Sequence, residues 1–428
     1  MQEDFSMTYP NGRPETSLWR DVTALALLLT ASLKIMANAT ISPALPALEA
    51  SFSGEPGAAY LVRFLVSAPS LTVVLVAPLA GLAIDKFGRS WLLMAGVLVF
   101  ALSGSAGAYL NDLTAILISR LLLGVALAFT MTAQVALAGD LFQGNSRSAF
   151  MGGQVVAINF GGFLFIGGAG LLAGVSPRLP FLIYALPLLL LPLLWPVMKQ
   201  EYRNWKTAHD VPTSLTSAGT KVSAAKAGSW LVYAFGLAGL SMVTVMIFFL
   251  MPSQLPFYLE ASGFDGATGT ALGLGALTLS GAFTALEFAA IRVRLGLPIT
   301  FSAGFLIMGC GFATLAMYPA WEFIIPGCAL IGVGYAFVQP ALFLAALDIA
   351  PAARRGTVSG MITTSMFLGQ IVSPFVFTSA LQCYGFAAVY GACGVAFVVF
   401  ASLALAVRFF RPARMDVPSE PSLEKPAL

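Results

Sequence analysis

Between two long apolar runs, 61–83 and 91–110, the chain carries the charged stretch Gly81-Leu-Ala-Ile-Asp85-Lys86-Phe-Gly88-Arg89. Each run is long enough to cross a hydrocarbon core of roughly 30 Å at about 1.5 Å per helical residue. Three charges in five residues cannot sit in hydrocarbon. The stretch is therefore a short loop at a membrane face, and its neighbours are spanning helices, since a segment in lipid must satisfy its own backbone hydrogen bonds.

The same reading extends over most of the chain. Spans are expected at 22–46, 60–84, 91–110, 113–137, 149–174 and 180–198, and again at 229–256, 267–291, 298–318, 323–346, 357–381 and 386–407. This is an all-α membrane protein with twelve transmembrane helices in two pseudo-symmetric six-helix halves, 19–198 and 229–410. A polar tail (1–18) precedes them, a polar linker (199–228) joins them, and a proline-rich tail (411–428) is expected to lack fixed structure. A soluble alternative is excluded by composition: 58% hydrophobic and 10% charged residues stand against about 25% charged in ordinary soluble domains. The first run is a span in its own right, so no cleavable signal peptide is expected.

Charge gives the orientation. Of the 22 Lys and Arg, Lys34 and Arg120 fall inside spans, and only Arg63 and Arg178 fall on one face. All the others fall on the face of the Gly81–Arg89 loop. That face is expected to be cytoplasmic, with both termini and the linker on the same side.

The halves are related by a constant offset of 208 residues, which pairs Gly88 with Gly296, Gly96 with Gly304, Gly124 with Gly332, Asp140 with Asp348 and Arg147 with Arg355. An offset that matches acids and bases as well as glycines points to duplication of a six-span unit. Spans one and seven are expected to end alike, at Leu45-Pro46 and Leu255-Pro256. The second copy of the charged loop is degraded: Asp85 corresponds to Val293 and Arg89 to Leu297.

Two six-helix halves, a central cytoplasmic loop and Gly81-x-x-x-Asp85-Lys86-x-Gly88-Arg89 together resemble the major facilitator superfamily, whose loop between helices two and three carries such a motif. Arg120-x-x-x-Gly124 is similar to an Arg-containing motif in span four of many proton-linked members. The resemblance implies alternating access between the halves, with helices one, four, seven and ten lining a substrate cavity. It also implies a cytoplasmic gate built from Gly81, Asp85, Lys86, Gly88, Arg89, Asp140 and Arg355. Asp85 is expected at the positive end of a helix starting near Gly356, a contact typically worth about 0.3 to 1 kcal/mol. Arg89 is expected to pair with Asp140, and the cluster to latch the cytoplasmic side in the outward-facing state.

Lys34 lies near the middle of span one, about 15 Å from either surface, too deep to snorkel. An ammonium there costs about 2.5 to 3.5 kcal/mol on insertion scales, so it faces a water-filled cavity, an ion-pair partner or a neutralising environment. Asn38 shares its face one turn on. With Thr130, Gln134, Gln254, Tyr335 and Gln339 on the presumed cavity helices, these are the candidate substrate contacts, each of which could instead be helix-packing glue. Arg120 and Lys34 are the candidates for proton linkage; the structural alternative for Arg120 ties helices together through backbone carbonyls. The glycines of span five, Gly152-Gly153, Gly161-Gly162 and Gly167-Gly168, are loosely similar to the Gly-Pro motif of drug antiporters but contain no proline, and close helix packing accounts for them.

No acidic residue occupies the centre of a span; Glu287, about a turn from the end of span eight, comes nearest. The cavity chemistry therefore favours neutral or anionic amphipathic substrates. Cys310, Cys328, Cys383 and Cys393 all lie in apolar runs without a Cys-x-x-Cys spacing, and His209 has no second ligand nearby, so no metal and no cofactor is expected. No phosphate-cradling loop or nucleophile–base pair suggests an enzyme. The reading is a proton-coupled exporter of a small amphipathic compound, a monomer in the inner or plasma membrane with no nucleic-acid partner. The alternatives are an importer or facilitator of an organic anion, and a non-transporting sensor on the same fold.

Overall fold

The computed structural model of the protein describes residues 21–142, 144–209, 229–351 and 354–410. The tails 1–18 and 411–428, most of the 199–228 linker, and the side chains of Asp85, Arg147 and His209 lie outside the described residues. Within them all the regular structure is helical. The spans are α1 (Val22–Ser51), α2 (Ala58–Ile84), α3 (Arg89–Ala108), α4 (Leu113–Leu141), α5 (Phe150–Ala173), α6 (Leu179–Lys199), α7 (Trp230–Ala261), α8 (Gly266–Phe288), α9 (Leu297–Met317) and α10 (Trp321–Ile349). A continuous stretch Thr357–Ala406 follows, divided at Gly385 (φ 76°) into α11 (357–384) and α12 (386–406). Twelve spans result among the described residues.

Two expected boundaries move. α1 and α7 do not stop at their Leu-Pro pairs but run on to Ser51 and Ala261. In α1 the helix has already broken at Ser42–Ala44, so Pro46 opens a new segment, where its missing N–H would have had no partner in any case. The helix of α6 continues as far as His209, so the first part of the expected linker is helical.

Packing repeats between the halves. α2 and α3 pack on α4, α3 on α6 and α1 on α5; α8 and α9 pack on α10, α9 on α12 and α7 on α11. The likeness reaches single atoms. Thr72 Oγ1 donates to the Leu121 carbonyl at 2.8 Å, and Ser280 Oγ, 208 residues on, donates to the Ala329 carbonyl at 2.9 Å. Beside these bonds Gly124 packs on the backbone of Pro69, and Gly332 on that of Leu277, so closely that a Cβ at either would coincide with a carbonyl oxygen. Gly88 and Gly296 both hold positive φ (91° and 77°) between consecutive spans, a conformation glycine adopts without steric cost.

Two seams join the halves, α2 on α11 and α5 on α8. On the outside, side chains such as Leu75, Leu171, Val232 and Leu403 are exposed, as a surface solvated by lipid tails requires. The two large clusters of buried side chains are each centred in one half, with a few members from the other, and a cavity is left between the halves.

Candidate functional site

The cavity encloses about 290 Å³ and is walled by α1, α5, α7, α8, α10 and α11. Its wall is mostly aliphatic and aromatic, including Ile35, Ile158, Leu277 and Phe248. Tyr335 stacks on Phe248 with ring centroids 3.7 Å apart, forming a flat aromatic panel. Among the described residues Lys34 brings the wall's one cation, and no acidic residue lines it. The Lys34 ammonium makes no ion pair among the described residues.

The polar groups are positioned by breaks in α1. The span is interrupted at Ser32 and again at Thr40, leaving the short segment Leu33–Ala39 that carries Lys34 and Asn38 on one face. Asn38 Nδ2 donates to Gln370 Oε1 on α11 at 3.3 Å, and Ser70 Oγ on α2 donates to the same oxygen at 2.5 Å. This three-residue bridge links the halves at mid-membrane. Gln339 Nε2 donates to the Met366 sulfur at 2.8 Å. Asn38 Oδ1 and Gln339 Oε1 are buried without a partner, so the wall retains hydrogen-bonding capacity beside the ammonium.

Arg120 is fully buried away from this cavity. Its Nε donates to the Leu65 carbonyl of α2 at 3.3 Å, its Nη2 donates to the Ala37 carbonyl of α1, and the guanidinium lies over the Tyr184 ring of α6 at 4.7 Å. Ala37 falls in the last turn of the Leu33–Ala39 segment, where carbonyls lack a full intrahelical set of partners. Arg120 thus braces the segment that presents Lys34.

Opposite the Gly88 loop the halves are sealed against each other. Arg63 on α2 binds Glu49 of α1 at 2.6 Å, donates from Nε to Gln254 of α7 at 3.1 Å, and lies 3.7 Å over the Phe257 ring. Gln254 Nε2 in turn donates to Thr378 of α11 at 2.9 Å. Tyr60 meets Ser379 and donates to Gln382, both at 3.3 Å, and Phe64 packs on Phe375 at 5.2 Å.

At the Gly88 loop, Arg89 forms an ion pair with Asp140. Both residues belong to the first half, so this pair anchors the loop to α4 and does not itself bridge the halves. Lys86 lies in the last turn of the α2 helix, where a cation suits the helix dipole, and its ammonium is 5.3 Å from the Phe87 ring. Gly81 has open space where a Cβ would point, and Arg355 is exposed at the start of the α11 helix.

A profile of the Major Facilitator Superfamily matches residues 27–374. The chain belongs to that superfamily. Membership makes it a membrane transporter and not an enzyme. Among curated relatives, Multidrug resistance protein 2 of Bacillus subtilis (strain 168) is 34% identical over 118 residues, 28% of this chain and 30% of that one. Multidrug resistance protein 1 of the same strain is 29% identical over 168 residues, 39% of this chain and 42% of the relative, so the matched part spans less than half the length of both. Quinolone resistance protein NorA of Staphylococcus aureus (strain MRSA252) is 23% identical across 77% of this chain and 83% of its own. The fold is shared with solved structures at low identity. A D-xylose–proton symporter superposes with TM-score 0.69 and 17% identity, covering 90% of this chain and 96% of that one. A POT family transporter in complex with 5-aminolevulinic acid gives 0.69 at 12% identity, covering 91% and 96%.

For a transporter of this superfamily the cavity assigns the expected residues unequally. Lys34, Asn38, Tyr335 and Gln339 line it. Thr130 and Gln134 do not: Thr130 packs against Gly96 of α3 and returns its hydroxyl to the Ala126 carbonyl, and Gln134 is 2% exposed. α4 is rotated so that its polar side faces the interior of its own half. Gln254 is likewise buried outside the cavity, in the seal with Arg63. Sequence reasoning missed Gln370, Ser70 and Asn159, because the resemblance directed attention to helices one, four, seven and ten. A mid-span glutamine in α11 was the available signal. The glycines of α5 divide too: Gly161 and Gly162 press on Ser32 and Ile35 of α1, and Gly170 on Ala271 of α8, whereas Gly152 and Gly167 meet nothing.

Proposed function

We propose that this transporter exports small amphipathic organic compounds, neutral or anionic, across the cell membrane in exchange for protons. The observation that carries the reading is the charge inventory of the cavity: an apolar volume of about 290 Å³, an aromatic panel, one ammonium and no described acid. A carboxylate or other anion would supply the counter-charge that Lys34 lacks, and the aliphatic wall would take an apolar body. Such a wall suits shape-tolerant binding, because apolar contact is non-directional. The multidrug and quinolone resistance relatives support export. The positive charge of the Gly88-loop face supports a cytoplasmic assignment for it, with both termini inside. On that assignment the cavity is closed to the outside, as in the inward-facing stage of a cycle worked by one monomer.

Lys34 is the proton-linked candidate that faces the cavity, whereas Arg120, outside it, braces the segment that presents Lys34. Everted vesicles loaded with a pH-sensitive dye test this reading. Adding an anionic amphipathic substrate to energised vesicles is expected to release protons from the lumen, and Lys34→Ala is expected to lower kcat/KM for that substrate at least tenfold, about 1.4 kcal/mol, at unchanged protein level. Uptake without proton movement would replace antiport by facilitated diffusion, and an unaltered Lys34→Ala would remove the ammonium from the substrate site.

A further inference from the structure

Arg63 is one of only two basic residues on the outer face by charge count, and it sits in the seam between the halves. The offset of 208 explains why that position matters. It relates the α2–α11 seam to the α5–α8 seam, Arg63 to Ala271 and Thr378 to Gly170. At α5–α8 the equivalent residues are in direct contact: Gly170 lies so close to Ala271 that an added Cβ would overlap the alanine methyl. Two small residues there leave no group that could bond in one state and detach in another. At α2–α11 the same place is filled by a polar chain that crosses between halves, from Glu49 through Arg63 and Gln254 to Thr378.

We propose that Arg63 is the latch residue of the outer gate and that Glu49 is its positioning residue, the polar latch lying in the α2–α11 seam and not in the α5–α8 seam. The guanidinium suits the task. Its planar fork lets Glu49 hold one nitrogen, with the Ala59 carbonyl sharing it at 2.7 Å, while Nε and the flat face remain for Gln254 and Phe257 of the other half. Both cross-half contacts are to neutral groups, so parting them leaves the charge compensated by Glu49 within the first half. The Arg63 side chain is 13% exposed and Glu49 27%, so water is at hand to resolvate the latch as it opens. An ion pair running between the halves would instead strand two half-buried charges on opening.

This inference rests on the alternating-access reading, but its test needs no substrate. Spin labels on Ser53→Cys and the exposed native Cys383 report the α2–α11 side; labels on Val175→Cys and Thr268→Cys, with Cys383 replaced by serine, report the α5–α8 side, the remaining native cysteines being serine in both. Pulsed-EPR distances are measured on purified full-length protein in lipid nanodiscs. Arg63→Leu is expected to add a longer-distance population on the α2–α11 side, with the α5–α8 side following as the outer face opens. Gln254→Leu, made in the opposite half, is expected to reproduce the change, and it carries the test if the arginine variant does not fold. The charge swap Glu49→Arg with Arg63→Glu keeps an ion pair but moves the guanidinium away from Phe257 and Gln254; it is expected to retain the long population. Unchanged distances in Arg63→Leu and Gln254→Leu, or full restoration by the swap, would each overturn the proposal. None of these outcomes depends on the cargo or on the direction of transport.

Discussion

The two halves share a scaffold and differ in what it carries. Thr72 and Ser280 make the same interhelical hydrogen bond, Gly124 and Gly332 the same close approach, and Gly88 and Gly296 the same left-handed turn. At matching positions the polar equipment does not repeat. Lys34 and Asn38 correspond to Met242 and Met246, Arg120 to Cys328, and Tyr335 and Gln339 to Leu127 and Met131. What duplication preserved is the set of contacts in which backbones meet, where any added atom clashes. What diverged is the lining, with the arginine that braces it, where substitution alters binding. The asymmetry of the halves is therefore a map of function drawn on a common frame.

The largest expected effect attacks the common frame. Gly124→Val and Gly332→Val should both prevent folding or lower the thermal midpoint severely, by more than the roughly 1 to 3 kcal/mol typical of overpacking, because each side chain would displace a backbone carbonyl. Fluorescence-detected size-exclusion chromatography with thermal challenge measures both. Tolerance in one half only would show that the frame is less symmetric than its contacts.

A smaller effect is expected where the frame itself differs. Asp265 caps α8 by accepting from Thr268 N–H at 2.8 Å, while its counterpart Gly57 precedes α2 without a side-chain cap. Asp265→Ala should cost about 1 kcal/mol in thermal unfolding. The hydrogen bonds from Thr268 hold the Asp265 carboxyl below the usual carboxylate range. A lowered folded pKa stabilises fully above the unfolded value of about 3.9 and is lost as pH falls through the folded one. The gap between wild type and Asp265→Ala should accordingly persist at neutral pH and close in acid.

The smallest stability effect is expected at the loops. Arg89→Leu copies the second loop into the first and removes the ion pair with Asp140; both groups are partly exposed, so unfolding should change by about 0 to 1 kcal/mol. Leu297→Arg, which offers Asp348 the same partner, should gain no more than that. Transport by Arg89→Leu should nevertheless fall, since the loop loses its anchor on α4. Equal transport by both loop variants would mean that the intact first copy has no special part in gating.

Much of this was legible in the residues. Run lengths placed the spans within a few residues, and the offset of 208 paired glycines, Gly88 with Gly296 and Gly124 with Gly332, that make matching turns and contacts in the structure. The pairing of Arg89 with Asp140 follows from two charges left at one membrane face. Lys34 could be placed at mid-membrane because no surface lies within its reach. Thr130, Gln134 and Gln254 were as polar and as deep, yet they turn away from the cavity. Arg63 looked like an exception to a charge rule and proved to hold the halves together.

By itself the sequence determined that this chain crosses a membrane repeatedly, that it is built from a duplicated unit, and where its turns fall. Hydrocarbon enforces those properties residue by residue, through the cost of bare charge and unpaired backbone. Only the tertiary structure decided which side of each helix meets the cavity, which seam carries the polar bridge, and which face is closed. A helix in lipid has apolar surroundings both outward and inward, so hydrophobicity does not orient it about its axis. That rotation is set by small residues meeting backbone, as at Gly124 and Gly332, and those contacts exist only once the helices are assembled.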